Sequence, residues 1–100
     1  MIVISYKTIR LFANTHTASQ EPLDYWYNVT SDDNWSTHAD LKSTFASADF
    51  VGNERYVFNI AGNKYRLIAA VNFKIRTVYI KYIGLHKEYD KVDAANVNRF

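Results

Sequence analysis

Cysteine is missing from all 100 residues, which rules out both a disulfide framework and a thiolate metal site and suits a reducing compartment. The three histidines, His16, His38 and His86, do not fall at ligand spacing, so no structural metal is expected and no cofactor is called for. Long hydrophobic runs are lacking too. The apolar start Met1-Ile2-Val3-Ile4 gives way to Ser5 and Lys7, too short for a signal-peptide core and far too short to span a membrane. The expected location is therefore the cytoplasm. In that setting Asn28-Val29-Thr30 and Asn34-Trp35-Ser36, which match the N-glycosylation pattern, are chance occurrences. No low-complexity stretch and no repeat of solenoid length is present.

What is present is a foldable composition, 48% hydrophobic and 16% aromatic. A chain of this length suits one compact domain over residues 1–100, burying roughly two thirds of the surface its unfolded form exposes. The net charge of +2 is small, but its distribution is uneven. Residues 1–50 hold three Lys/Arg (Lys7, Arg10, Lys42) against six Asp/Glu, while residues 51–100 hold nine against four. The halves thus carry −3 and +5. Polyanion binding gains from each phosphate neutralised, so a basic half matters more than the total. Ordinary solvated sheet charge would give the same count.

Periodicity divides the chain in the same place. "IVISY" at 2–6 reads as a strand, and Ile9, Phe12, Ala13 and His16 predict a helix from Lys7 to about Thr15. The single proline, Pro22, fits the first turn of a second helix, with Leu23, Trp26, Tyr27 and Thr30 at i, i+3, i+4 and i+7. A third runs from about Thr37 to Phe45, capped by Ser36 or by Thr37 with Asp40 three residues later as a capping-box partner. Residues 46–54 read as loop. Then the period becomes two: Tyr56, Phe58 and Ile60 share one face of "RYVFNI" and Val57 and Asn59 the other, "AGN" at 61–63 supplies a turn, and "KYRLIAAVNF" and "TVYIKYIG" are two further strands. "KEYDKVDAA" can start a brief terminal helix. The expectation is an α+β domain, with the N-terminal strand and helices on one face of a mostly antiparallel sheet. Trp26, Tyr27 and Phe45 cover that face, and the other is left for function. Tyr25 and Trp35 also read as core rather than as a base-stacking platform.

Two clusters could carry chemistry. Alternation places Lys64 and Arg66 on one side of their strand, either as a phosphate clamp or as solvated charge at a strand end. His86, Lys87, Glu88, Tyr89, Asp90 and Lys91, six ionisable residues in succession, emerge where the last strand ends at Gly84. They lie near one end or the other of the Lys64/Arg66 strand, and sequence leaves that choice open.

"DLKSTFASADFVG", "YVFNIAGNKYRLIAAVNF" and "HKEYDK", in this order and spacing, resemble the HigB branch of the RelE-like toxins, with likeness from "ISYKTIRLF" to about Asp93. The resemblance implies a small RelE-like α+β ribonuclease fold and a toxin of a type II toxin–antitoxin system that cleaves mRNA, usually on the ribosome. It also implies inhibition by a HigA-type helix-turn-helix antitoxin, through which alone DNA would be contacted, and no membrane partner. In such an enzyme the RNA 2′-OH attacks the neighbouring phosphate without a metal. Arg66 matches a phosphate-clamping arginine of the superfamily, and its forked donors suit two phosphate oxygens. His86 would be general acid or base, since imidazole titrates nearest neutrality. Tyr89 would stack on a base or exchange a proton, helped by the cationic field of Lys64 and Lys91. Asp90 would orient His86, Lys91 or Arg66, or cap the terminal helix. Asn59 would bond RNA, Asn63 has a backbone role in the turn, and Lys42 and Arg55 line the RNA path or sit on the surface. Family members commonly carry threonine before the histidine, where this chain has Leu85. The rival function is a non-catalytic RNA- or ribosome-binding module using the same basic face.

Overall fold

The apolar spacing of the N-terminal half yields helices that each bury one stripe. In the computed structural model, which describes residues 1–98 excepting the side chains of Asp90 and Lys91, a short strand β1 (Ile2–Ile4) leads into α1 (Tyr6–Thr15). Helix α1 buries Thr8, Ile9 and Ala13 and ends where the His16 N–H donates to the Phe12 carbonyl. A 3₁₀ turn, Thr17–Ser19, then starts α2 (Gln20–Asp32), which holds Pro22 in its first turn and buries Leu23, Trp26 and Thr30 at i, i+3 and i+7.

The capping box at Thr37 forms as its spacing predicts. The Asp40 N–H donates to Thr37 Oγ1 at 3.2 Å and the Thr37 N–H donates to Asp40 Oδ2 at 3.2 Å, opening α3 (His38–Thr44). Ser36 adds two donors to the same carboxylate oxygen, its N–H and its hydroxyl, each at 2.9 Å. The Ser36 bonds, backbone first, are the main reason that the Asp40 carboxyl is held below its ordinary pKa.

The C-terminal half forms β2 (Asp49–Gly52), β3 (Arg55–Ile60), β4 (Tyr65–Asn72) and β5 (Thr77–Leu85). The sheet order is β1-β5-β4-β3-β2, with β1 parallel to β5 and the other neighbours antiparallel. Strand β2 corrects the expected loop over 46–54. Its four residues are too few to show alternation, and they become a strand by pairing with β3 around a bulge between Phe50 and Gly52. Gly52, Asn53 and Glu54 all have positive φ, which makes the tight reversal between the strands. At the next hairpin the left-handed residues are Ala61 and Gly62, so Asn63 is not placed there for its own backbone conformation.

One sheet face carries Tyr56, Phe58, Ile60, Leu67, Ala69, Val78 and Ile80 against Ile9, Leu23, Trp26, Trp35 and Leu41 of the helical layer. Trp26 and Trp35 are thus core, Tyr27 and Phe45 pack on its border, and Tyr25 is exposed. The opposite face is not left wholly open, as the sequence suggests. Val57, Ile68 and Tyr82 form a second, smaller core there, capped by Val51, Tyr89, Val92, Ala94 and Val97. The terminal helix expected from "KEYDKVDAA" is a 3₁₀ turn, His86–Lys91, and the chain beyond it returns over this face. Among the described residues no helix is long and apolar enough to cross a membrane.

The Thr37–Asp40 box generates two expectations for stability. Thr37→Ala should lower unfolding free energy by about 1 kcal/mol in urea titration at neutral pH. Because the folded Asp40 pKa is depressed, its contribution is present above the unfolded carboxylate value and is lost as pH falls through the lower folded value. Asp40→Asn should therefore flatten that part of the acid limb of a stability–pH profile.

Candidate functional site

The site is organised by β4 and β5. Their register runs Tyr65↔Leu85, Arg66↔Gly84, Leu67↔Ile83 and Ile68↔Tyr82, then skips a residue before Ala69↔Ile80 and Ala70↔Tyr79. Lys81 is the extra residue of this bulge, and it changes the phase of the strand. Tyr79, Tyr82 and Gly84 consequently share the face of Arg66 and Ile68, while Ile80, Ile83 and Leu85 look toward the helices. Leu85 packs on the border of the main core. The residue directly before His86 therefore serves packing here, on the side of the sheet away from Arg66.

Arg66 stands between Asn59, its partner on β3, and Gly84, its partner on β5. Directly opposed residues have Cβ atoms about 5 Å apart, so Asn59 and Arg66 rise from neighbouring strands on the same face. Glycine on the other flank leaves the room that the Tyr82 ring fills. A Cβ there would overlap the Tyr82 hydroxyl and come within 2.5 Å of its Cζ, and the buried Tyr82 ring has little room to yield. The Arg66 Cζ lies 5.1 Å from the Tyr89 ring centroid, a cation–π arrangement. Its Nε is buried without a hydrogen-bond partner among the described residues. A buried donor on a cation is costly to leave unmet, and a half-buried forked guanidinium is the kind of group that suits an anionic oxygen.

The "HKEYDK" segment lies at the Lys64 end of β4. The His86 N–H donates to the Lys64 carbonyl at 3.0 Å, extending the β4–β5 ladder by one bond. The Leu85 N–H donates to Glu88 Oε1 at 3.3 Å and tightens the turn that follows. His86, Lys87 and Lys64 are exposed, and Tyr89 is half-buried over Arg66. Lys64 belongs to the hairpin turn rather than to the strand, with its Nζ 5.6 Å from the Tyr65 ring centroid. Asp90 and Lys91 occupy the 3₁₀ turn, but their side chains lie outside the described residues.

Arg66, Tyr89, Asn59, Lys64 and His86 are therefore collected at one end of the sheet. Two predicted members are not. Lys42 Nζ donates to the Ala46 and Ala48 carbonyls at 2.7 and 2.6 Å, which ties the chain leaving α3 on the helical side. Arg55 is buried, and its Nη1 donates to the Val97 carbonyl. Both cations are spent on backbone oxygens. Of the other histidines, His38 Nδ1 is 2.6 Å from the Tyr56 hydroxyl, whose pKa is raised by burial, and His16 stacks on Phe12. Sequence reading missed Gly84 and Tyr82 as parts of the site. The signal was available in "YIKYI", where two Tyr-Ile pairs stand three residues apart and so cannot share faces without a bulge.

Comparison with known proteins identifies the class to which this domain belongs. A family model described as HigB toxin, the RelE-like toxic component of a toxin–antitoxin system, matches residues 19–92. The mRNA interferase toxin HigB of Escherichia coli K12 is 30% identical over 92 residues, covering 90% of this chain and 88% of that protein. The mRNA interferase HigB of E. coli O6:H1 is 34% identical over 68 residues, 66% of each chain. The mRNA interferase HigB of Shigella flexneri is 30% identical over 92 residues. The chain belongs to the HigB toxin family, and an antitoxin partner follows from that membership.

Gly84→Ala forces Tyr82 or the strand to move. It should cost about 1–3 kcal/mol of stability, measured by denaturant unfolding, and lower any activity that depends on Arg66.

Proposed function

We propose that this chain is an endoribonuclease that cuts mRNA, and that Arg66, His86 and Tyr89 perform the reaction. The observation that carries this reading is the Arg66 guanidinium. It is flanked by Asn59 and Gly84, lies against Tyr89, has an unmet buried donor, and sits at the sheet end from which His86 emerges. The family membership and the mRNA interferase names of the relatives support it.

In this reaction the 2′ oxygen of one nucleotide forms a bond to the adjacent phosphorus as the bond to the 5′ oxygen of the next nucleotide breaks. The products are a 2′,3′-cyclic phosphate and a free 5′ hydroxyl. The 2′ proton goes to a base and the departing oxygen receives a proton from an acid, so one proton is taken up and one is given back. Arg66 holds the non-bridging oxygens, whose charge grows at the pentacoordinate phosphorus, and its planar fork fixes the phosphate for in-line displacement. His86 serves as acid or base. Tyr89 keeps the guanidinium in place and offers a ring or hydroxyl to the substrate. Lys64 adds positive potential at the same end, and Asn59 hydrogen-bonds the RNA. Asp90 orients His86, Lys91 or Arg66, and Lys91 draws phosphate. The nucleophile belongs to the substrate and no step calls for a metal.

The single domain spans residues 1–100 and acts in the cytoplasm on mRNA engaged by the ribosome. A HigA-type helix-turn-helix antitoxin inhibits it and makes any contact with DNA.

Expression in translating cells should arrest growth and yield mRNA fragments with cyclic phosphate ends, and cleavage in vitro on programmed ribosomes should persist in excess chelator. Arg66→Ala and His86→Ala should each reduce the cleavage rate about 10²- to 10⁴-fold with the fold intact by circular dichroism. Unchanged cleavage in both variants would overturn the site assignment. A wild-type chain that binds ribosomes without cutting mRNA would make it a binding module instead.

A further inference from the structure

The face of the sheet opposite the helices carries a segment that the reaction above does not use. After the 3₁₀ turn the chain lies across β3 and β4 as an irregular strap over residues 92–98. Two side chains from the β2–β3 hairpin hold its backbone. Arg55 Nη1 donates to the Val97 carbonyl, and Asn53 Nδ2 donates to the Ala95 carbonyl at 2.9 Å. Beneath the strap, Val92, Ala94 and Val97 pack beside Tyr89 on Val57, Ile68 and Tyr82.

Tyr89 thus belongs to two structures at once. It is a member of the small core that the strap closes, and it is the ring against which Arg66 rests. A segment with so little apolar cover opens more readily than the main core does. The two side-chain clamps are what a strap of this kind needs to stay down. Arg55 is only 8% exposed, so its guanidinium has been withdrawn from solvent to make this contact and does not meet a phosphate.

We propose that Arg55 is a positioning residue for RNA cleavage: by clamping the strap at Val97 it holds Tyr89 against Arg66 and so presets the guanidinium for the phosphate. This rests on the reading of Arg66 and Tyr89 as reacting residues. With the clamp removed, the strap frays, Tyr89 loses its neighbours and Arg66 gains rotamers. Each turnover must then reorder the guanidinium, which lowers kcat and leaves KM nearly unchanged.

The test is a double-mutant cycle on cleavage combined with a spectroscopic reading that needs no RNA. Arg55→Ala should lower kcat about 10- to 100-fold, and the same change in a Tyr89→Ala background should have little further effect. Arg55→Lys, which keeps a donor for the Val97 carbonyl, should recover most of the rate. In the protein alone, the NMR ring signals of Tyr89 should move toward solvent-exposed positions in Arg55→Ala. Should that variant unfold, Asn53→Ala removes the other clamp from an exposed position and must show the same pattern. Equal losses in both backgrounds, or a rise in KM with kcat preserved, would place Arg55 on the RNA and overturn the proposal. Unmoved Tyr89 signals would overturn it whatever the kinetics show. A wild-type chain that cuts no mRNA counts against the functional reading alone, and the Tyr89 signals then decide the role of Arg55.

Discussion

Eight cross-strand pairs join β4 to β5, and the residue skipped at Lys81 determines what those pairs put on each face. Were the two strands in simple alternation, Lys81 and Ile83 would stand on the open face beside Arg66, and Tyr82 would turn into the helical core. The bulge exchanges these sets. It sends Ile83 and Leu85 into the main core, brings Tyr82 onto Ile68, and sets the one glycine of β5 beside Arg66. A one-residue slip in a strand inverts all its side chains, so the core and the site depend on the same irregularity. The hydrophobic demand of the helical face enforces it, because an unbulged strand would either turn Ile83 onto the open face or, slipped by one residue, turn Lys81 into the helical core.

The two faces also differ in depth. The helical side locks three helices onto four strands through rings and aliphatic chains that are almost wholly buried, among them Trp26, Trp35, Phe58 and Leu67. The other side rests on three sheet residues and a strap. Packing of the first kind sets global stability, whereas the second is free to open locally. Arg66 has its backbone in the rigid ladder and its guanidinium against a ring that belongs to the softer layer. Such a division fixes where the charge originates and leaves its final orientation to be set by weaker contacts.

Much of this was legible in the sequence because it depends on local pattern. Leu23, Trp26 and Thr30 betray α2 through helical spacing, Thr37 and Asp40 betray the start of α3, and Tyr56, Phe58 and Ile60 give β3 and its buried face. Strand β2 was not legible, since "DFVG" has no periodicity of its own and becomes extended by pairing. Asn59 could be placed beside Arg66 only with the hairpin register in hand, which a turn at 61–63 restricts without fixing. Where Arg55 and Lys42 go was not legible for another reason: sequence shows a cation but not the carbonyl it reaches, and both of these bond to the backbone.

The same point alters the meaning of the charge asymmetry. The excess of Lys and Arg in residues 51–100 suggested a face broadly attractive to polyanions, yet several of those cations are engaged at home. Arg55 clamps Val97, Arg76 bonds the Asn34 side chain at 2.8 Å as well as the Phe73 carbonyl, and Lys81 reaches Asn98 at 3.4 Å. Exposed Lys64 and Lys87, with Arg66 between their chain segments, are gathered where the β3–β4 hairpin meets the 3₁₀ turn. Potential from grouped charges adds within a Debye length of about 10 Å, whereas charges spread over a domain are screened from one another. A modest net charge is therefore compatible with a strongly attractive locus, provided that the remaining cations are consumed by the fold. Here Arg55, Lys81 and Arg76 hold down a strap and a turn, while Lys64 and Lys87 stand toward Arg66, whose buried Nε has no partner among the described residues.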